Sequence, residues 1–191
     1  MFLFQIKWEN RYHGDNGSAC RISVDGTDFR ILEPSPFDAK WYSHKFKGAG
    51  LRYEIGISIQ GGDIVWCNGP FPCGTWSDLK IAKSELHGML DQDERYIADR
   101  GYRNGGVGSW TPDEGPARFD EMKAAVRARH ETVNGRFKRW AILNNVYRHD
   151  IDKHEKVMWA VLMLTQAKFD MHKRLYKVDY ADMGMEDADE A

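Results

Sequence analysis

The segment 52–60 alternates apolar and polar residues, and this pattern constrains the fold more than any other feature of the chain. The apolar residues at every second position are Tyr53, Ile55, Ile57 and Ile59. Side chains spaced in this way share one face of a β-strand. Gly61 and Gly62 follow, and residues 64–67 form a second apolar run. The combination predicts a β-hairpin with a two-residue turn.

Further strands and helices are predicted on either side of this hairpin. A strand pattern covers 21–31 with a break near Gly26, and a weaker one covers Met1 to Lys7. Downstream, the sequence predicts a helix at 76–90, a short strand at 96–98, a loop at 103–116, and long helices at about 119–140 and 149–176. A strand–helix–strand unit requires a crossover, which makes the sheet mixed. We therefore expect an α/β fold: a ribonuclease-H-like mixed sheet flanked by helices, with long C-terminal helices.

The charge distribution divides the chain into three expected regions. The net charge is −2, but residues 179–191 contain six acids and no Lys or Arg, which leaves 27 basic and 23 acidic residues elsewhere. We expect a lead-in segment at 1–20, one folded domain at 21–178 and a disordered acidic tail at 179–191. The domain is then basic, which is typical of a protein with a polyanionic partner, although a solvated helix face would give the same composition.

Cysteine content and hydropathy indicate the compartment. The chain has 3 Cys, an odd number, and no signal peptide precedes them. Its longest apolar run, at 157–164, is far shorter than a membrane span. We expect an intracellular, reducing setting, without disulfides and without a membrane.

Four acidic residues have contexts that suit a metal site. They are Asp25, Asp78, Asp99 and Glu131. Cleavage of a phosphodiester bond with hard metal ions needs carboxylates that converge on one point. Asp25 beside one strand and Asp99 at the end of another are expected on neighbouring strands, with Glu131 reaching them from a helix.

Each of the four also has an ordinary structural interpretation. Asp25-Gly26 is a common turn dipeptide, and Thr75-x-x-Asp78 matches a helix capping box. Asp99 could end a strand in a turn, and Glu131 could pair with Arg127 one helical turn away. The long helix helps to distinguish these readings for Glu131, which lies roughly opposite its apolar stripe. That stripe consists of Met122, Val126, Val133 and Phe137.

An ordered set of short motifs resembles the Harbinger group of DDE transposases. The motifs are Asp25-Gly26-Thr27, Tyr42 to Lys45, Gly74 to Asp78, Asp99 to Tyr102, Thr111-Pro112, and Arg127 to Glu131 followed by Gly135 and Lys138. The resemblance covers about 21–165. It implies a metal-dependent DNA endonuclease whose acidic triad is Asp25, Asp99 and Glu131, with Asp78 as a further metal-site carboxylate. It also implies two divalent ions (Mg²⁺ or Mn²⁺), a nuclear location, and a separate Myb-like protein that targets DNA.

The cations around these motifs are candidates for binding DNA phosphates. They are Lys45, Lys47, Arg127, Arg129, Arg136, Lys138 and Arg139. Such contacts hold the backbone and carry no sequence information. Harbinger transposases have a helical DNA-binding region before the first Asp, and only 24 residues precede Asp25. We expect that region to be absent, and a catalytically silent, domesticated DNA-binding or protein-assembly module of the same fold is the alternative function.

Overall fold

The computed structural model describes residues 5–14, 19–105, 108–115, 117–171 and 174–178. The strands in these ranges are β1 (Cys20–Arg30), β2 (Tyr42–Ser43), β3 (Gly48–Ser58), β4 (Ile64–Pro72), β5 (Arg95–Ile97) and β6 (Ser109–Trp110). The α-helices are α1 (Asp78–Ser84), α2 (Leu86–Met89), α3 (Asp120–Phe137), α4 (Ala141–Asn144) and α5 (His154–Met171).

The strands form one mixed sheet. Its order is β2-β3-β1-β5-β6, and β4 also pairs with β3. The pairs β1–β3, β3–β4 and β2–β3 are antiparallel, whereas β1–β5 and β5–β6 are parallel. β1 pairs antiparallel with β3 on one side and parallel with β5 on the other. The helices α1 and α2 form the connection from β4 to β5. This confirms the expected ribonuclease-H-like mixed α/β fold.

Helices cover both faces of the sheet because its long strands are apolar on both faces. Ile22 and Val24 of β1 pack with Ala82 of α1 and Leu86 of α2. The opposite face carries the larger cluster, in which β3 residues meet α3 and α5. Its members include Leu51, Tyr53, Ile55, Ile57, Val133, Phe137, Met158 and Leu162. Full burial of each such side chain contributes about 1.5–3 kcal/mol, so α3 and α5 are anchored by their apolar stripes.

Two details of the strands differ from the sequence prediction. No break occurs near Gly26, because β1 runs without interruption through it and pairs Gly26 with Glu54. The hairpin loop between β3 and β4 is five residues long rather than two, and it is closed by hydrogen bonds from Gly62 N to Ser58 O (3.0 Å) and from Ser58 N to Asp63 O (2.8 Å). The turn that the sequence allowed at Asp25-Gly26 is excluded, because β1 continues through both residues.

The helix boundaries also differ in places. The helix expected at 76–90 is divided into α1 and α2 by Glu85, which has φ −142°. The last helix begins at His154 instead of 149, because Asp150 caps a preceding 3-10 turn through Asp152 N. The loop expected at 103–116 contains β6, which at two residues is too short for periodicity to reveal.

The N-terminal lead-in packs on the same domain in its described part. Residues 5–7 are not a strand, and Trp8–Tyr12 is a 3-10 helix. Arg11 is buried and donates to Glu94 at 3.1 Å, while Trp8 packs edge-on against Trp66. The expected acidic tail, 179–191, lies outside the described residues. In the part of the chain that the structure describes, no helix has the length and apolar character needed to cross a membrane.

Candidate active site

Asp25 and Asp99 come from adjacent parallel strands. Ser23 of β1 is in register with Ile97 of β5, and each Asp lies two residues further along its chain. Both side chains line a cavity of about 490 Å³. The sequence prediction that these two acids lie on neighbouring strands therefore agrees with the sheet register.

Glu131 lines the same cavity from α3. Two polar contacts join this helix to β1: the ring Nε2 of His130 lies 3.1 Å from Ser23 O, and Asn134 Nδ2 donates to Asp25 Oδ2 at 2.8 Å. Glu131 itself is exposed. Among the described residues it has no ion-pair or hydrogen-bond partner, so the pairing with Arg127 that the helix spacing allowed is not formed.

The environment of Asp25 disfavours its charged form. Its pKa is raised to about 6, mainly by burial and further by the nearby carboxylates of Asp99 and Asp78, while the Lys45 ammonium opposes the increase. A buried carboxylate with two further carboxylates nearby lacks sufficient positive charge around it. A divalent cation between them would supply that charge.

Asp78 lies on the other side of β1, outside the cavity lining. Its Oδ1 is 3.3 Å from Arg52 Nη1, and its pKa is raised by burial and by Asp99 although Arg52 lowers it. The carboxylate fits against the backbone of Gly26, where any Cβ would lie 2.1 Å from Asp78 Oδ1. The capping-box interpretation is wrong, because Ser77 is the N-cap and accepts from Lys80 N.

Arg52 connects this second acidic group to the sheet. It donates to Asp28 Oδ1 at 2.7 Å and to Asp28 Oδ2 at 3.0 Å, and it also donates to Trp76 O at 3.2 Å. These bonds orient the start of α1 and hold Asp78 beside Gly26. The sequence prediction missed Arg52, because an arginine inside a strand gives no signal of which carboxylates it will meet.

Asp99 has a structural role as well as a place in the cavity. It precedes the 3-10 turn Arg100–Tyr102, and its Oδ1 accepts from Gly101 N at 2.7 Å. A Cβ at Gly101 would lie 2.7 Å from Asp78 Oδ2 and 2.9 Å from Asp99 Oδ1. The Asp78 and Asp99 carboxylates therefore approach each other around Gly101.

The donor chemistry of the cavity fits a hard divalent cation. Carboxylate oxygens are the ligands that Mg²⁺ prefers, and Mg²⁺ commonly takes one or two of them and completes its shell with water and substrate phosphate. Within the described ranges, no three His, Cys, Asp or Glu side chains are grouped closely enough to hold a metal ion by themselves. Asp25, Asp99 and Glu131 therefore line one cavity, but their side chains are not close enough together to form a complete set of metal ligands.

The predicted DNA-binding cations divide into three groups. Lys45, Arg127 and Lys138 line the cavity. Lys47, Arg136 and Arg139 do not line it, and Arg136 lies over the Phe169 ring at 4.6 Å. The prediction for Arg129 is wrong: this side chain is 0% exposed and donates to Ser58 O at 2.8 Å, so it supports the core and does not face a ligand.

No protein-family model, curated protein or solved structure matches this chain. The cavity and the ordered sequence motifs are the observations on which a function can be proposed. Asn134 is a polar residue of the cavity to which the sequence prediction assigned no role. Its spacing of three residues from Glu131 on one helix was the available signal, because residues i and i+3 share a helix face.

Proposed function

We propose that this protein is a metal-dependent DNA endonuclease, the catalytic core of a Harbinger-type DDE transposase. The observation that carries the proposal is the cavity lined by Asp25, Asp99 and Glu131, which come from three separate elements of the fold. Their order along the chain is the one that the resemblance implies for an acidic triad.

The chemistry follows from what these side chains can hold. When bound, two divalent ions (Mg²⁺ or Mn²⁺) would activate a water molecule and stabilise the leaving 3′ oxygen. Asp25 would contribute to both ion sites, Asp99 to one and Glu131 to the other. Asp78, which is paired with Arg52, would act on the site through its charge near Asp99 and Asp25.

The substrate class is DNA. Lys45, Arg127 and Lys138 surround the carboxylates and would hold the phosphates on either side of the scissile bond. Cations of this kind bind the backbone without reading sequence. A nuclear location and a separate Myb-like targeting protein belong to the same proposal and rest on the resemblance.

A nicking assay tests the proposal. The full chain should convert supercoiled plasmid to nicked circles slowly with Mg²⁺ or Mn²⁺, leaving 3′-OH ends, and Ca²⁺ should not support turnover because its looser coordination suits the reaction poorly. Asp25→Asn, Asp99→Asn and Glu131→Gln should each abolish nicking. Glu121→Gln is the matched control, since Glu121 is exposed in the first turn of the same helix.

The alternative is a catalytically silent module that binds DNA or assembles with other proteins. The observation that favours it is the absence, among the described residues, of a group of three side chains spaced to hold a metal ion. A folded chain that neither binds Mn²⁺ nor nicks DNA would make this the better function. Nicking that survives Asp25→Asn would reject the acidic triad.

A further inference from the structure

Asn134 makes a direct contact with the first acid of the cavity. Its Nδ2 donates to Asp25 Oδ2 at 2.8 Å, and Asn134 itself lines the cavity one turn after Glu131. The orientation of the amide is determined by its partner, because the opposite assignment would put the amide oxygen against an ionised carboxylate oxygen. Nδ2 is therefore the atom that faces Asp25.

The other end of the same amide has no protein partner. Asn134 Oδ1 is buried from solvent and, among the described residues, no donor lies within hydrogen-bond distance of it. A buried acceptor without a donor costs about 1–3 kcal/mol. An oxygen left in this state next to the Asp25 carboxylate, in a cavity that Asp99 and Glu131 also line, is suited to a water molecule or a cation.

The fold does not require an asparagine at this position. α3 is already held to the sheet by the buried side chains of Val133 and Phe137 and by the His130 contact with Ser23 O. Asparagine is also a poorer helix former than alanine, by about half a kcal/mol. The polar contact with Asp25 therefore calls for an explanation other than packing.

We propose that Asn134 is a positioning residue, which holds Asp25 through Nδ2 so that the remaining carboxylate oxygen stays available to a divalent cation. This inference rests on the proposed function, because it assigns a task to a neighbour of the acidic triad. Groups that orient a metal ligand in this way commonly contribute 10–100-fold to metal affinity.

The test compares Mn²⁺ binding by isothermal titration calorimetry in the full chain and in Asn134→Leu. Leucine has nearly the shape of asparagine and lacks the amide. We expect a dissociation constant about 10–100-fold higher than that of the wild type, at an unfolding temperature no lower than that of the wild type. Thr132→Val is the control, because Thr132 is exposed on the same helix and its hydroxyl donates to Ala128 O. Asn134→Ala replaces the leucine variant if that variant does not fold.

A kinetic measurement separates positioning from a general structural role. In Asn134→Leu the Mn²⁺ concentration for half-maximal nicking should rise, the KM for DNA should stay constant, and excess Mn²⁺ should restore kcat. Equal Mn²⁺ affinity in the wild type and Asn134→Leu would overturn this inference alone, provided that Asp25→Asn still loses the ion. A wild-type chain that binds no Mn²⁺ would overturn both the inference and the proposed function.

Discussion

Glu54 is a carboxylic acid placed inside the apolar layer behind the cavity. It lies on β3 opposite Gly26, is 0% exposed, and accepts a hydrogen bond from Trp66 Nε1 at 2.9 Å. Burial raises its pKa to about 8, although the bond from Trp66 lowers it. At neutral pH the side chain is therefore mostly protonated in the folded protein.

The sign of its effect on stability follows from linkage. The unfolded chain loses this proton near the usual pKa of 4.5, whereas the folded chain keeps it until about pH 8. The folded state is favoured fully below the lower value and loses this advantage as pH rises through the window between them. Above pH 8 the protein holds a buried carboxylate with little compensating charge.

We predict that Glu54→Gln stabilises the protein in alkaline solution. Glutamine keeps an oxygen for Trp66 Nε1 and never ionises, so the gain in unfolding free energy should be near zero at pH 4 and grow to about 5 kcal/mol at pH 9, at about 1.4 kcal/mol per unit of pKa shift. Urea unfolding of both proteins at the two pH values measures it. A gain independent of pH would contradict the assignment.

At the scale of the elements, α3 packs one face against the core and lines the cavity with the other. Val126, Val133 and Phe137 are 0% exposed, while Glu131, Asn134 and Gly135 line the cavity. Gly135 is exposed, and a Cβ built there meets no atom within 4 Å. The fold itself gives no reason for a glycine inside this helix.

We predict opposite effects of Gly135→Ala on stability and on DNA binding. Alanine in a helix interior should raise the unfolding free energy by about 0.5–1 kcal/mol. If a DNA backbone approaches α3 closely, the added methyl group should weaken binding nonetheless.

Gly88→Ala is the matched control for this prediction, because Gly88 is exposed in α2 and its Cβ would also meet nothing within 4 Å. It should gain stability without loss of binding. Thermal unfolding and fluorescence anisotropy with labelled duplex DNA measure the two effects. Unchanged DNA affinity in Gly135→Ala would exclude a close approach at this position.

At the scale of the whole molecule, cationic side chains from separate parts of the chain surround the carboxylates of the cavity. Lys45 approaches the cavity from the segment between β2 and β3, Arg127 approaches it from α3, and Lys138 approaches it from the C-cap of that helix. Because phosphate contacts release counterions, DNA affinity should fall steeply with salt concentration and depend little on sequence.

We predict that Ala substitution of Lys45, Arg127 and Lys138 together weakens DNA binding and reduces its salt dependence. Each lost phosphate contact should reduce the slope of log affinity against log salt by about 0.9 on duplex DNA. Binding isotherms at several salt concentrations measure the slope. The charge-matched control is Ala substitution of Arg148, Lys153 and Lys156, which are exposed outside the cavity. An equal loss of DNA affinity in both triple variants would contradict DNA binding at the cavity.

The sequence by itself was sufficient for the main elements and the class of fold. β1, β3, β4, α3 and α5 are long enough for their apolar residues to repeat several times, and a period of two or 3.6 is a property of the local backbone. The order of these elements required a mixed sheet. β6 and α4, with two and four residues, contain too little of a period to be recognised.

Only the tertiary structure decided which polar side chains meet, because register and packing join residues far apart in the chain. Asn134 meets Asp25 across the interface between α3 and β1, and Arg52 meets Asp78 across the opposite face. Arg127 and Arg129 were both predicted from the sequence to bind DNA phosphates, and no sequence pattern distinguished them. Residues two positions apart on a helix differ by about 200° of rotation. Arg127 therefore lines the cavity, while Arg129 is buried and donates to Ser58 O.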